Sequence, residues 1–237
     1  MAEHTIGIYP EKRYTFRSNA SYREPWAFLP NQRAKVIAEQ LTYLDFHEWL
    51  MENLRHATPL EPDEDDWSSL VFSVAEGFYK TDVLLYASIC EAALFSVLHS
   101  VFAYEADSVH QAVRDCFRRV EDRFHKITGH EISLKLPTNV VTGQLGVGFT
   151  HETTVSDSEV KFASLIRAGE AIGIYDAAFR RRLDILRDER NTIHLAKQIE
   201  RHNQLRAFNP SDRARAKTTT EDLRLALQHF VEQQQWP

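Results

Sequence analysis

Leu183-Asp-Ile-Leu-Arg-Asp-Glu-Arg-Asn-Thr-Ile-His-Leu195 ends a run of helix-forming residues that starts near Ala163 and contains few breakers. The spacing predicts that this stretch lies on a long helix or just past its end. At helical spacing Arg187, Asn191 and His194 fall at i, i+4 and i+7, one face of the helix, with Arg190 beside them. Leu183, Ile185, Leu186, Ile193 and Leu195 supply the apolar side. An imidazole moves a proton near neutral pH, and a guanidinium holds a phosphate through two parallel hydrogen bonds and offsets growing negative charge. Metal-free cleavage of an RNA phosphodiester needs those two groups together. The same residues also describe an ordinary solvated face, in which Asp184 pairs with Arg187 and Glu189 with its basic neighbours.

The string Arg187-Asp-Glu-Arg-Asn-Thr-Ile-His194 resembles the signature of the HEPN (higher eukaryote and prokaryote nucleotide-binding) superfamily. That signature is Arg, four to six residues, then His, often with a polar residue directly after the Arg. Six residues separate Arg187 from His194, and Asp188 is the polar follower. Many members instead read Arg-Asn, three residues, His, and Arg190-Asn191 stands one residue too close to His194 for that form. Arg187 and Arg190 therefore both remain candidates for the family arginine. The resemblance implies a helical bundle and a metal-independent endoribonuclease. In it His194 acts as general base or acid, Arg187 and Arg190 hold the phosphate, and Asn191 positions it. It also implies a homodimer joined through the motif helices, RNA as substrate, and a toxin or antiphage setting with an antitoxin or other regulatory protein. The alternative is a non-catalytic HEPN-like module that binds a nucleotide, RNA or a partner protein.

The rest of the chain fits a helical protein. Its 237 residues are enough for a substantial core, and eight Gly and eight Pro are too few for a turn-rich β fold. The net charge of −6 is unevenly spread, because Arg180–Lys217 holds eleven Lys/Arg against five Asp/Glu. That local +6 suits a confined anionic ligand better than extended tracking of a nucleic-acid backbone. It equally suits a helix whose C-terminal half carries cations. No bilayer-length run is apparent, since Ser88, Cys90, Glu91, Ser96 and His99 interrupt Val83–Val101. The start has no signal-peptide pattern, and Cys90 and Cys116 read as core thiols, so the expected location is cytoplasmic with no membrane contact. No cofactor or metal is expected: the acids of residues 57–66 lack the glycine and spacing of a calcium loop.

Residues 1–30 read as an irregular aromatic arm, and 31–237 as one helical HEPN-like domain. Asn31–His56 and Trp67–Phe102 are expected helices, the second either continuous or broken near Gly77. Glu91, an acid in the most apolar part of the chain, needs a partner. In the HEPN resemblance it orients Arg187 or Arg190, a role shared by Asp188. Asp107–Ile127 is an amphipathic helix, with Asp107 or Ser108 at its start. Alternating Ile132, Leu134 and Leu136, then a Gly-rich β-branched stretch, predict a small β-hairpin insertion near 131–155. Ser156–Leu195 is expected as one long helix, with Gly169 and Gly173 allowing close packing or a kink. Asn203–Thr220 reads as a basic loop before a last helix, Glu221–Gln235. The fold class is thus an all-α bundle with a small β excursion.

Overall fold

A computed structural model describes residues 19–56, 64–104, 109–117, 160–192 and 208–234. Among them helix is the regular structure throughout and no strand occurs, so the all-α expectation holds there. The expected hairpin near 131–155 lies outside the described residues.

The elements are α1 (Asn19–Arg23), running into a 3-10 turn (Glu24–Trp26), α2 (Asn31–His56), α3 (Glu64–Tyr104), α4 (111–117), α5 (Phe162–Ala171), α6 (Ala177–Thr192) and α7 (Pro210–Gln233). The chain divides into two compact units. One comprises Met1–Cys90 with Ile185–Gln228, the other Glu91–Asp184 with His229–Pro237.

In the first unit, the described end of the N-terminal arm is helical and packs on α2. Trp26 is buried there with Ile37, Leu44, Val83, Tyr86, Leu186, Leu223 and Leu227. Each fully buried aliphatic side chain contributes roughly 1.5–3 kcal/mol relative to exposure. The Pro30 carbonyl accepts the Ala34 N–H, so Pro30 caps α2 and Asn31 sits one residue inside it.

Helix α3 runs through Gly77 without a break. A Cβ at Gly77 would meet nothing within 4 Å, so packing does not demand glycine there. Its stretch Ser73–Ala103 contains an 18-residue window of mean hydropathy 1.6 and is by length and composition long and apolar enough to cross a bilayer, which corrects the expectation from sequence. The interrupting serines cost little, because Ser88 and Ser96 donate back to the Leu84 and Ala92 carbonyls. That window is 61% buried, as the window of a core helix is.

Helix α7 begins eleven residues earlier than the expected Glu221. Asn209-Pro210-Ser211-Asp212 forms a capping box. Asn209 Oδ1 accepts the Ser211 and Asp212 N–H groups at 2.9 and 3.2 Å, and Asp212 Oδ2 accepts the Asn209 N–H at 3.2 Å. Pro210 opens the first turn, where its missing N–H costs nothing. The basic segment 210–220 is therefore helix, not loop. Leu223 and Leu227 face the core, whereas Leu225 is 53% exposed, two residues around the helix from each.

In the second unit the expected long helix is two. Gly173 has φ +77, the left-handed region that an L side chain enters at a cost. Its N–H bonds the Glu170 carbonyl, and the Ile174 N–H reaches back to Gly169, which together close α5 as a Schellman motif. Asp176 then caps α6, its Oδ1 taking the Phe179 N–H at 2.8 Å. Gly169 has a separate role: a Cβ there would come within 2.4 Å of the Tyr175 hydroxyl, which donates to the Ile166 carbonyl. His110, not Asp107 or Ser108, caps α4, its Nδ1 accepting the Ala112 N–H at 3.2 Å. Half-buried His99 packs against the rings of Phe95 and Phe117. Cys90 and Cys116 are free and buried.

Candidate functional site

The motif residues Arg187–Thr192 occupy the last turns of α6, within the first unit. Leu183 and Leu186 are buried, and Glu189, three residues on, continues their stripe at 4% exposure. Ile185 is on the opposite side and 46% exposed, which corrects its place on the apolar face. Glu189 binds the Arg215 guanidinium of α7, which also bonds Asp212 at 2.6 Å. Burial would lower the Arg215 pKa, but hydrogen bonds and charge from Asp212 and Glu189 outweigh it and raise it. The carboxylate in the middle of the motif is thus turned inward and neutralised there.

Arg187, Arg190 and Asn191 are half-buried. Arg187 donates through Nε and Nη2 to Oδ1 of its neighbour Asp188, at 3.2 and 2.9 Å. The Asp188 side chain is 67% exposed and that of Arg187 24%, so this is a surface pair of small energetic weight. It fixes the direction of the guanidinium more than it stabilises the helix. Thr192 Oγ1 caps the end of α6 by donating to the Glu189 carbonyl at 2.7 Å. His194 lies outside the described residues. Glu91 is half-buried on α3 and belongs to the second unit, whereas Arg187 and Arg190 belong to the first.

A second polar constellation in the first unit was invisible to sequence spacing. Asp82, wholly buried in the apolar part of α3, accepts from Arg213 Nε of α7 at 2.6 Å, and its other oxygen lies 2.6 Å from His47 Nδ1 of α2. Arg213 Nη2 also reaches Glu48 at 3.1 Å and the Leu44 carbonyl at 3.4 Å, and Lys217 adds a bond to Glu48 at 3.1 Å. Burial pushes the Glu48 carboxyl up, but Arg213 and Lys217 outweigh it and hold it below the ordinary glutamate value. Burial likewise raises the Tyr86 hydroxyl well above the usual phenol range, partly offset by the positive charge of Arg213. Burial alone accounts for the Cys90 thiol being pushed up to about 12, against a weak bond to Thr220.

The signal that was available for this network was an acid in an apolar helix. Asp82 carries that signal as Glu91 does, nine residues earlier in the same helix. Nothing in the sequence pairs Asp82 with residues 35 and 131 positions away. Chemically, Asp82 fixes the His47 ring and the Arg213 fork by accepting from both. A buried carboxylate tolerates this setting because each oxygen has a partner.

Among the described residues no group of three or more His, Cys, Asp and Glu side chains is arranged to hold a metal ion. Compared with known protein families, with curated proteins and with solved structures, the chain matches none at a significant level.

Proposed function

We propose that the chain is a metal-independent endoribonuclease of the HEPN type. The observation that carries the reading is the Arg187-x6-His194 spacing, with Arg187, Arg190 and Asn191 along the last turns of α6 while Glu189 is turned inward onto Arg215. With Glu189 turned inward, one fewer carboxylate stands among those arginines to repel a phosphodiester, although Asp188 remains there paired with Arg187. The withdrawal of Glu189 supports a positive local field at the motif.

In the proposed reaction His194 takes the proton of a ribose 2′-hydroxyl, whose oxygen attacks the adjacent phosphorus. The bond from phosphorus to the 5′-oxygen breaks, and the leaving oxygen takes a proton from an imidazolium. Arg187, with Arg190 beside it, binds the non-bridging oxygens, where charge grows in the transition state. Asn191 orients the phosphate, and Asp188 is the orienting carboxylate. The products are a 2′,3′-cyclic phosphate and a 5′-hydroxyl. The reading includes a homodimer through the motif helices, a cytoplasmic setting, and a toxin or antiphage role held in check by an antitoxin or regulatory protein.

The test is incubation of wild-type and His194→Ala protein with total RNA and tRNA in excess EDTA, followed by end-group analysis. Cleavage by the wild type alone, leaving cyclic phosphates, supports the reaction and the role of His194 together. Equal products from both proteins, or none from either, point instead to a module that binds RNA, nucleotide or protein without cutting. That second reading draws on Arg187 being held by Asp188 and on the short Arg190-to-His194 spacing.

A further inference from the structure

The first unit contains a cleft of about 260 Å³ between α1 with its 3-10 turn, α2, α3 and α7. Its apolar wall includes Trp26, Leu41 and Leu44, and its polar wall includes Tyr86, Lys217 and Arg224. None of these residues belongs to the motif on α6.

The hydrogen-bond inventory of the cleft is one-sided. Its two carboxylates are engaged: Asp45 accepts from the Tyr22 hydroxyl, and Glu221 accepts from Arg224 Nε at 3.2 Å. The donors are in surplus. Lys217 spends one of three N–H groups on Glu48, and Arg224 spends two of five, on Glu221 and Gln228. Tyr86 is 4% exposed and lines the cleft, yet its hydroxyl has no hydrogen-bond partner among the described residues.

We infer that this cleft binds a small organic anion, a flat apolar ring carrying one carboxylate or phosphate group. The ring packs on the Trp26–Leu41–Leu44 side, and the anionic oxygens take the spare donors of Tyr86, Lys217 and Arg224. Spare donors call for a ligand made of acceptors, and charge-assisted bonds from Lys217 and Arg224 favour an anionic one although Asp45 and Glu221 line the same cleft. Size sets the class, since drug-sized ligands occupy roughly 300–1,000 Å³ and this cleft is smaller. A polymer does not fit it, so the cleft is no extension of an RNA track.

The experiment is an NMR titration of the full chain with benzoate, adenosine 5′-monophosphate and inorganic phosphate, repeated on Tyr86→Phe and Arg224→Gln. Tyr86→Phe keeps the buried ring and removes only the hydroxyl, so it tests the site without emptying the core. Saturable binding of benzoate or the nucleotide, weakened about tenfold by either substitution, is the expected result. Whichever of the two binds tighter assigns the anion as carboxylate or phosphate. Inorganic phosphate binding as tightly as both overturns the ring-shaped ligand. No saturation by any probe up to about 10 mM, or unchanged affinity in Tyr86→Phe, overturns the site. None of these outcomes depends on RNA cleavage.

Discussion

Asp82 and Asp188 are both carboxylates that hold an arginine, and they differ in nearly everything else. Asp82 is wholly buried, and its partners His47 and Arg213 come from two other helices. Asp188 is largely exposed and binds the residue next to it in the chain. The first arrangement ties α2, α3 and α7 together, and removing one member leaves another as an uncompensated buried charge. The second spends little free energy on the fold and leaves Arg187 near water, where a ligand can reach it. Charge in the core of this unit ties helices together, and charge at the end of α6 stands nearer to solvent.

Four measurements test that contrast. The largest effect is expected at Asp82: Asp82→Ala should lower unfolding free energy by about 3–5 kcal/mol, read from denaturant midpoints. A loss below about 1 kcal/mol would erase the distinction drawn here.

Arg187→Ala should do the reverse. On the proposed reaction it should reduce RNA cleavage by about a hundredfold, equivalent to about 2.7 kcal/mol of barrier, with stability changed by less than about 1 kcal/mol. A large fall in stability with cleavage intact would make Arg187 a structural residue.

The third test uses pH. The folded-state pKa of Glu48 is lowered, so its contribution to stability is present above the ordinary value of 4.5 and fades as pH falls through the lower folded value. The acid limb of a stability-versus-pH curve should therefore flatten in Glu48→Gln. The change should be modest, because Glu48 is 40% exposed and solvent screens it. An unaltered acid limb would place the acid sensitivity elsewhere.

The smallest effect is expected for Asp188→Ala, within about 0.5 kcal/mol in thermal or chemical unfolding. If its cleavage rate falls as far as that of Arg187→Ala, the pair acts as one unit, with Asp188 aiming the guanidinium.

How much of this was legible beforehand differs element by element. The hydrophobic pattern of 31–56 and 67–102 marked α2 and α3, because a helix repeats its buried face every three to four residues. The break at Gly173 was half legible: the glycine stood out, but a kink and a full stop look alike until two backward hydrogen bonds close α5. The start of α7 was misread, although Asn209-Pro210-Ser-Asp212 is a helix-start pattern, because the basic composition of 203–220 suggested a loop. At the motif, spacing correctly grouped Arg187 and Asn191 on α6. It did not show that Glu189 points inward, since a carboxylate enters a core stripe only when a cation such as Arg215 waits there.

The sequence by itself determined the helical character of the described residues and which positions along α2, α3 and α6 share a face. These depend on residues a few positions apart, where helical geometry alone dictates which side chains share a face. Only the tertiary structure decided where buried charges find their counterions: His47 and Arg213 on Asp82, Arg215 on Glu189. It also decided which donors at the Tyr86 cleft remain to be used. Those outcomes depend on helices packed from distant parts of the chain, whose proximity no local spacing encodes.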